Sequence, residues 1–523
     1  MKRNENITGF RKFLFYVRMS LACAWRYWRH PAALMKASQL TRIFFKHKLK
    51  RLASGEYKLD FYLPRYPSQA FFTALEDKVI CRPPRPVSVV LSISKACAYK
   101  CPHCYQRKDD SHEMPLPVLV ENVRKMRDFG IVAWAVEGGE PLLRFERLEA
   151  VLAEIAGLEV WVNSTGHGAT PEKIRRLAEL KVTGIMSSIH SVDEKAHDAF
   201  TGVAGSWRRA LEFLRECKKA GMLVGFNTVL DDREVVDGGI DRIMDFAAEN
   251  GCDYVQLIHP KACGAWIGKT FDKSLYAEAI RIACDAQRKY NSSKIDIAPV
   301  LTAQVYEESP EMLGCCCGGI DRFYVGANGD VQPCEFVNIS FGNLAEVPFE
   351  TAYARMRKAF AVPCEEWTCE RRAAEIAAKA GDKLPLPWTE TEKLVSGWKG
   401  GTPTKVYDKM GNSNAFIAPY YVGDSYWIME TNPDLAVCIP EEGTNLFADA
   451  MCIPKNPNLD SNNDEKRKEA EIKKEAAEMF INYMYETQVA LENIEYICYS
   501  TPHTGAYALL DEEVKNDPFL YPS

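Results

Sequence analysis

The stretch Cys97-Ala-Tyr-Lys-Cys101-Pro-His-Cys104-Tyr105 places three cysteines at CxxxCxxC spacing, directly after the apolar run Val87–Ser94. Three thiolates hold three irons of a [4Fe–4S] cube and leave the fourth iron open, whereas four cysteines fill every corner. A zinc knuckle is the alternative, but zinc asks for a fourth Cys or His at ligand distance. His103 stands between two of the cysteines, badly placed to turn toward the same ion.

This spacing resembles the signature of the radical S-adenosylmethionine (SAM) enzymes. The resemblance implies that the open iron chelates the amino and carboxylate groups of SAM, and that one electron cleaves SAM to a 5'-deoxyadenosyl radical. It also implies a partial (β/α)6 barrel, an α/β fold. The residues that follow agree with it. Short β-rich runs at 87–94, 131–136, 158–163, 183–189, 223–230 and 253–259 alternate with helical patterns at 117–129, 145–156, 171–180 and 207–220. Repeated strand–helix units predict a parallel sheet with right-handed crossovers. Groups that do chemistry in such barrels sit at the C-terminal ends of the strands.

The second run ends in Glu137-Gly138-Gly139-Glu140-Pro141, which resembles the family's GGEP motif. There the resemblance implies that backbone and carboxylate contact the SAM amino group. Glycines let a backbone approach a ligand closely, and a carboxylate suits an ammonium. The third run ends in Asn163-Ser164-Thr165-Gly166, whose amide and hydroxyls suit the ribose or carboxylate of SAM. The plainer reading is a turn that caps the next helix. Ser188 is the contact candidate on the fourth run, Asn227 and Gln256 are candidates on the fifth and sixth, and Tyr105 matches an aromatic expected beside the adenine.

A second cysteine region begins at Cys315-Cys316-Cys317 and continues to Gly329-Asp-Val-Gln-Pro-Cys334. It resembles the start of the SPASM/twitch extension, which holds auxiliary iron–sulfur clusters. Asn328-Gly329 is a hairpin turn signal and brings Cys317 and Cys334 together at the open end. The remaining cysteines are too few for a full SPASM set. One auxiliary cluster is expected, on Cys317 or one of its neighbours Cys315 and Cys316, with Cys334, Cys364 and, as a candidate fourth ligand, Cys369, and a structural zinc is the alternative. Cys217, Cys252, Cys263 and Cys284 read as buried small residues.

At 523 residues the chain is too long for one core. Its 18 cysteines follow no secretion signal, so they fit a reducing cytoplasm better than a disulfide framework. The net charge of −6 is unevenly spread: residues 1–55 hold 13 Lys/Arg against one acid, and residues 411–523 hold 20 Asp/Glu against 7 Lys/Arg. This shift marks domain boundaries. The expected division is a basic amphipathic arm at 1–55, the barrel at 80–300, a twitch-like extension at 301–410 and an acidic segment at 411–523.

In the arm, Arg11, Arg18 and Arg29 share one helical stripe, a basic face with Trp and Phe residues opposite. Such a helix suits either a membrane interface at the inner face or a place on the enzyme's own surface. Arg18 breaks the apolar run, which argues against a transmembrane helix. The acidic segment resembles the C-terminal third of spermidine/putrescine-binding proteins, and the resemblance implies an α/β fragment of a periplasmic-binding-protein fold. It places polyamine contacts at Tyr421, Asp449 and Tyr499, yet most of such a receptor is missing. The segment therefore reads as a fusion fragment, and a polyamine-transport receptor is the alternative function. The partners expected for the radical SAM reading are an electron donor such as flavodoxin or ferredoxin and an unidentified peptide, cofactor-precursor or lipid-linked substrate. Nothing points to nucleic acid.

Overall fold

The computed structural model describes residues 5–29, 45, 48–52, 54–79, 85–109, 111–292, 299–309, 314–315, 317–360, 367–380 and 383–398, and, further on, 425–426, 429, 432, 435–439 and 451–521. The chain divides into two units, Met1–Thr402 and Pro403–Ser523.

In the first unit the apolar runs become strands. These are β4 (Ser88–Ser92), β5 (Ala133–Glu137), β6 (Glu159–Asn163), β7 (Gly184–Ser188), β8 (Leu223–Val229) and β9 (Tyr254–Ile258), after an N-terminal set β1 (Glu5–Ile7), β2 (Leu49–Arg51) and β3 (Tyr57–Lys58). From β4 to β9 each strand pairs in parallel with the next. Helices Leu116–Phe129, Phe145–Glu154, Pro171–Glu179 and Ser206–Lys219 provide crossovers. The strands are one to three residues shorter than the apolar runs predict. At the end of β4 the Ile93 N–H still donates to the Glu137 carbonyl at 2.8 Å, the last rung of the β4–β5 ladder.

The sheet is wider than six strands. β10 (Val300–Ala303) adds in parallel beside β9 at one edge. At the other edge β11 (Arg322–Val325) lies parallel to β4, and β12 (Val331–Gln332) pairs antiparallel with β11, giving the order β10-β9-β8-β7-β6-β5-β4-β11-β12. The hairpin read at Asn328-Gly329 is therefore β11–β12, with Gly329 at φ +97°, and it extends the main sheet.

The N-terminal segment closes the sheet's lower end. β1, β2 and β3 form a small antiparallel sheet, and helix α1 (Gly9–Tyr27) packs Tyr16, Met19, Cys23 and Tyr27 against Leu49, Leu59, Leu63 and Phe71. From this sheet the chain reaches the strand starts. Phe61 stacks between Trp161 and Tyr254, with ring centroids 4.8 and 5.4 Å away. Lys50 Nζ pairs with Asp253 at 2.9 Å, and the fully buried Lys58 pairs with Glu159 at 2.7 Å. Residues 56–66, which the sequence leaves between arm and barrel, are thus the plug beneath it.

In the second unit the described residues form helices and no strand: Asp464–Met484, Thr487–Ile497, Thr504–Leu509 and Glu512–Lys515. The longest of these is the charged run, capped by the Asn463 side chain and largely solvated. A small core of Ala490, Ile494, Ala506 and Leu510 holds the last helices together.

Candidate active site

The cysteine loop leaves the C-terminal end of β4 without helical structure and is fastened from outside. Lys100 donates to the Thr201 carbonyl at 3.0 Å, and the Cys104 carbonyl accepts from Ala265 N–H at 3.0 Å. Cys97, Cys101 and Cys104 all face one cavity of about 590 Å³. Burial raises all three thiols, Cys101 to about 12, with neighbouring thiols adding to the effect at Cys97 and Cys101. Such thiols are poor free nucleophiles, and a bound metal is what deprotonates them. His103 points away from them into an aromatic nest of His190, Phe200 and Trp266, where burial lowers its pKa to about 4. Among the described residues no three His, Cys, Asp or Glu side chains converge as they would around a single ion. A cubane asks for a different arrangement, one thiolate per corner iron.

The GGEP loop is built onto the cysteine loop. Gly139 N–H donates to Ser94 O at 2.6 Å, and Glu140 N–H to Ala96 O at 2.7 Å. A Cβ on Gly138 would meet Ser94 O at 2.7 Å, and one on Gly139 would meet Ala96 O at 2.5 Å. Glycine is required here by the neighbouring backbone as well as by any ligand.

Two carboxylates hold the strand ends, and one of them behaves differently from the sequence reading. Glu140, read as the ammonium partner, is fully buried and does not line the cavity. Its Oε1 accepts from Leu142 N–H at 3.0 Å and Ser164 Oγ at 2.7 Å, and its Oε2 from Thr165 N–H at 2.7 Å and Thr165 Oγ1 at 2.5 Å. It caps the short 3-10 helix Pro141–Arg144 and fixes the 163–165 turn. Pro141 is buried at the start of that helix.

The carboxylate that does face the cavity is Glu137, which the sequence analysis does not single out. It accepts the Tyr105 hydroxyl on one oxygen and Asn163 Nδ2 at 3.1 Å on the other, and burial pushes it up to about 8. Glu137 thus joins Tyr105, from the cysteine loop, to Asn163, from β6. Its signal in the sequence was its place as last residue of a strand, immediately before the glycines.

Tyr105, Gly138, Gly139, Asn163, Ser164 and Ser188 line the cavity, and so do Asn227 and Gln256. His190 Nδ1 accepts Val229 N–H at 3.4 Å, which puts the imidazole proton on Nε2. That Nε2 and the Asn227 Oδ1 are buried with no partner among the described residues. A buried donor and a buried acceptor left alone cost about 1–3 kcal/mol each. The site therefore fits a polar ligand with both donors and acceptors, as SAM has, in the same cavity as the three thiols. Phe61, Tyr62 and Trp161 form the floor, and Tyr62 accepts from Gln256 Nε2 at 3.0 Å.

The second cysteine region adjoins this wall, for Arg322, which reaches Cys334 Sγ at 3.9 Å, and Glu335, which accepts from it at 3.0 Å, both line the cavity. Cys315, Cys317, Cys334 and Cys369 are all buried. Gly318 N–H donates to Pro333 O at 2.9 Å, which sets Cys317 beside Cys334. Cys315 and Cys317 both reach Thr368 Oγ1, at 3.9 and 3.5 Å, next to Cys369 in the chain. A hydrogen bond from Cys317 lowers Cys315 to about 7 and raises Cys317. Cys364 and Cys316 lie outside the described residues. Cys217, Cys252 and Cys263 are buried and Cys284 is half-buried, but Cys263 also forms part of the cavity wall. Of the residues expected at a polyamine site, Tyr421 and Asp449 lie outside the described residues and Tyr499 is half-buried.

Residues 91–255 match the model of the Radical SAM superfamily. A pre-heme d1 synthase of Dinoroseobacter shibae is 29% identical over 180 residues, 34% of this chain and 44% of that protein. An AdoMet-dependent heme synthase of Methanosarcina barkeri is 26% identical over 288 residues, 50% of this chain and 81% of that protein. The chain thus spans less than half the length of the first relative and about four fifths of the second. Among solved structures, Streptococcus suis SuiB bound to S-adenosylmethionine aligns with a TM-score of 0.43 and 18% identity, covering 53% of this chain and 68% of that one. With the cysteine loop, the glycine loop and the parallel sheet in place, residues 91–255 carry a radical SAM domain.

Proposed function

We propose that this protein is a radical SAM enzyme whose substrate is bound in the cavity at the cysteine loop. The observation that carries the reading is the meeting, in one cavity, of Cys97, Cys101 and Cys104 with Gly138–Gly139 and Asn163–Ser164. It falls within the stretch matched by the family, and that match favours the enzyme over a polyamine-transport receptor. A [4Fe–4S] cluster on the three cysteines supplies one-electron cleavage of SAM and, from it, a radical that abstracts hydrogen from the substrate.

The chain's own residues do the rest. The Gly138–Gly139 backbone and Glu137 face the position of the SAM amino group. Asn163, Ser164 and Ser188 offer amide and hydroxyl groups to its polar edges, and Tyr105 offers a ring face. His190 Nε2–H and Asn227 Oδ1 hold a polar group of ligand or substrate. The Phe61–Trp161 floor keeps water out from below, which protects a reactive intermediate.

Cys317, Cys334 and Cys369, with Cys315 beside them, are proposed to hold one auxiliary iron–sulfur cluster of the twitch kind. The burial of all four and the contact of Cys315 and Cys317 with Thr368, next to Cys369 in the chain, support this. The electron donor is a small carrier of the flavodoxin or ferredoxin class. The substrate is a peptide or protein, a cofactor precursor or a lipid-linked molecule, and the relatives named for heme synthesis direct the first screen to cofactor precursors. Anaerobically reconstituted protein with dithionite should release 5'-deoxyadenosine from SAM, and Cys101→Ala should abolish release. Colourless protein holding zinc alone overturns the reading.

A further inference from the structure

Helix α1 carries two apolar faces, and the protein covers one of them. Tyr16, Met19, Cys23 and Tyr27 pack inward. Along the opposite side run Phe10, Phe13, Val17, Leu21, Trp25 and Trp28, at spacings of three and four that keep them on one stripe. Trp25 is 85% exposed, Phe10 75%, and Leu21 and Trp28 66% each. Single exposed hydrophobics are ordinary, but a row on one face over about five turns, roughly 27 Å, is not. Arg11, Arg18 and Arg29 lie along one flank of the row, and all three are exposed. The whole arm, residues 1–55, holds 13 cations against one acid.

We propose that the outward face of α1 docks the protein onto an anionic lipid surface, with the helix lying in the plane of the interface. Charge selects this occupant: a basic flank beside an aromatic-rich face matches acidic headgroups over acyl chains. Tryptophan is the side chain best suited to that depth, apolar in body with one N–H for the headgroup layer. Among the described residues no helix is long and apolar enough to cross a membrane, so the contact is peripheral. The arm is fastened at the strand starts through Lys50–Asp253 and Lys58–Glu159, whereas the cysteines leave the strand ends. Docking through α1 therefore leaves the cavity mouth free for substrate. The proposal stands independently of the reaction proposed above.

The test is sedimentation of the full chain with phosphatidylcholine vesicles, with and without phosphatidylglycerol. Binding is expected with phosphatidylglycerol and lost at high salt, and brominated lipid should quench tryptophan fluorescence. Leu21→Ser with Trp25→Ser and Trp28→Ser should reduce binding at least tenfold while circular dichroism and cluster absorbance stay unchanged. If that variant misfolds, Trp25→Phe with Trp28→Phe keeps the question open to test: binding should persist and most of the quenching disappear. Each of Arg11→Gln, Arg18→Gln and Arg29→Gln should weaken binding roughly fivefold. Failure to sediment with anionic vesicles overturns the proposal. So does a stable dimer in solution that the serine substitutions dissociate, because the face is then a contact between copies of the chain.

Discussion

Thr165 N–H donates to Glu140 Oε2 at 2.7 Å, joining the end of β5 to the end of β6 through a buried carboxylate. Glu140 also takes the Ser164 and Thr165 hydroxyls, so a motif residue expected to meet the ligand fixes the 163–165 turn instead. Glu140→Ala leaves those donors without their acceptor. It should weaken SAM binding by roughly tenfold or more, a loss of one to two hydrogen bonds' worth. Cluster absorbance should be retained. Calorimetric titration of the reconstituted protein with SAM checks this, and an affinity within twofold of the parent would show that the turn holds without Glu140.

The glycine loop gives a steric prediction. An added methyl at Gly139 would sit 2.5 Å from Ala96 O and 2.7 Å from Lys95 O, both backbone atoms that cannot rotate away. Gly139→Ala should therefore displace the segment entering the cysteine loop. Iron content after reconstitution should fall by more than half, a large effect for one methyl group but an ordinary one for overpacking. Full iron loading with normal 5'-deoxyadenosine release would refute it.

Beneath the barrel, Lys58 is fully buried and donates to Glu159 at 2.7 Å and to the Phe61 carbonyl at 3.1 Å. Removing one partner of a buried pair costs about 3–5 kcal/mol when the other charge is left uncompensated; Glu159 also pairs with Arg65 Nε at 3.1 Å, so the lower end, about 3 kcal/mol, is expected here. Lys58→Met should destabilise the first unit by that amount in urea unfolding, and the double variant with Glu159→Gln should recover part of it. A single variant as stable as the parent would mean that the plug is not held by charge.

The neighbouring Lys50–Asp253 pair sets a pH dependence. Burial raises the Asp253 carboxyl, but Lys50, by charge and hydrogen bond, together with the Lys218 charge and the Val224 N–H, outweighs burial and holds it below its ordinary value. A lowered folded pKa contributes stability above the unfolded value of about 3.9, and that stability is lost as pH falls through the folded value. The stability gap between the parent and Lys50→Met should accordingly be wide at neutral pH and should narrow below about pH 4. Urea midpoints for both proteins across this range decide it, and a gap that stays constant with pH would exclude the linkage.

Iron counting tests the second cysteine region. Cys317→Ser should lower iron by about four per chain while leaving the catalytic cluster's signal in place, as expected if each cluster has its own thiolates. Unchanged iron would remove Cys317 from the ligand set.

The sequence by itself determined the parallel strand–helix order, the cysteine loop after β4 and the polar ends of β5 and β6. These are local features: strand and helix periodicities and motif spacings depend on residues close in the chain. It also marked the arm as an amphipathic helix with a basic face opposite Trp and Phe residues, but left open whether a membrane interface or the protein's own surface covers it. Tertiary structure decided what depends on distant partners. Glu140 turns away from the cavity because its four donors come from residues 142, 164 and 165, and Glu137 takes its place because Tyr105 and Asn163 converge on it. The segment 56–66 becomes the barrel floor only when Glu159 and Trp161, about a hundred residues on, supply a buried charge and a ring to pack against. No spacing in the chain encodes such meetings; they arise when the sheet closes over a buried lysine that must find its acceptor.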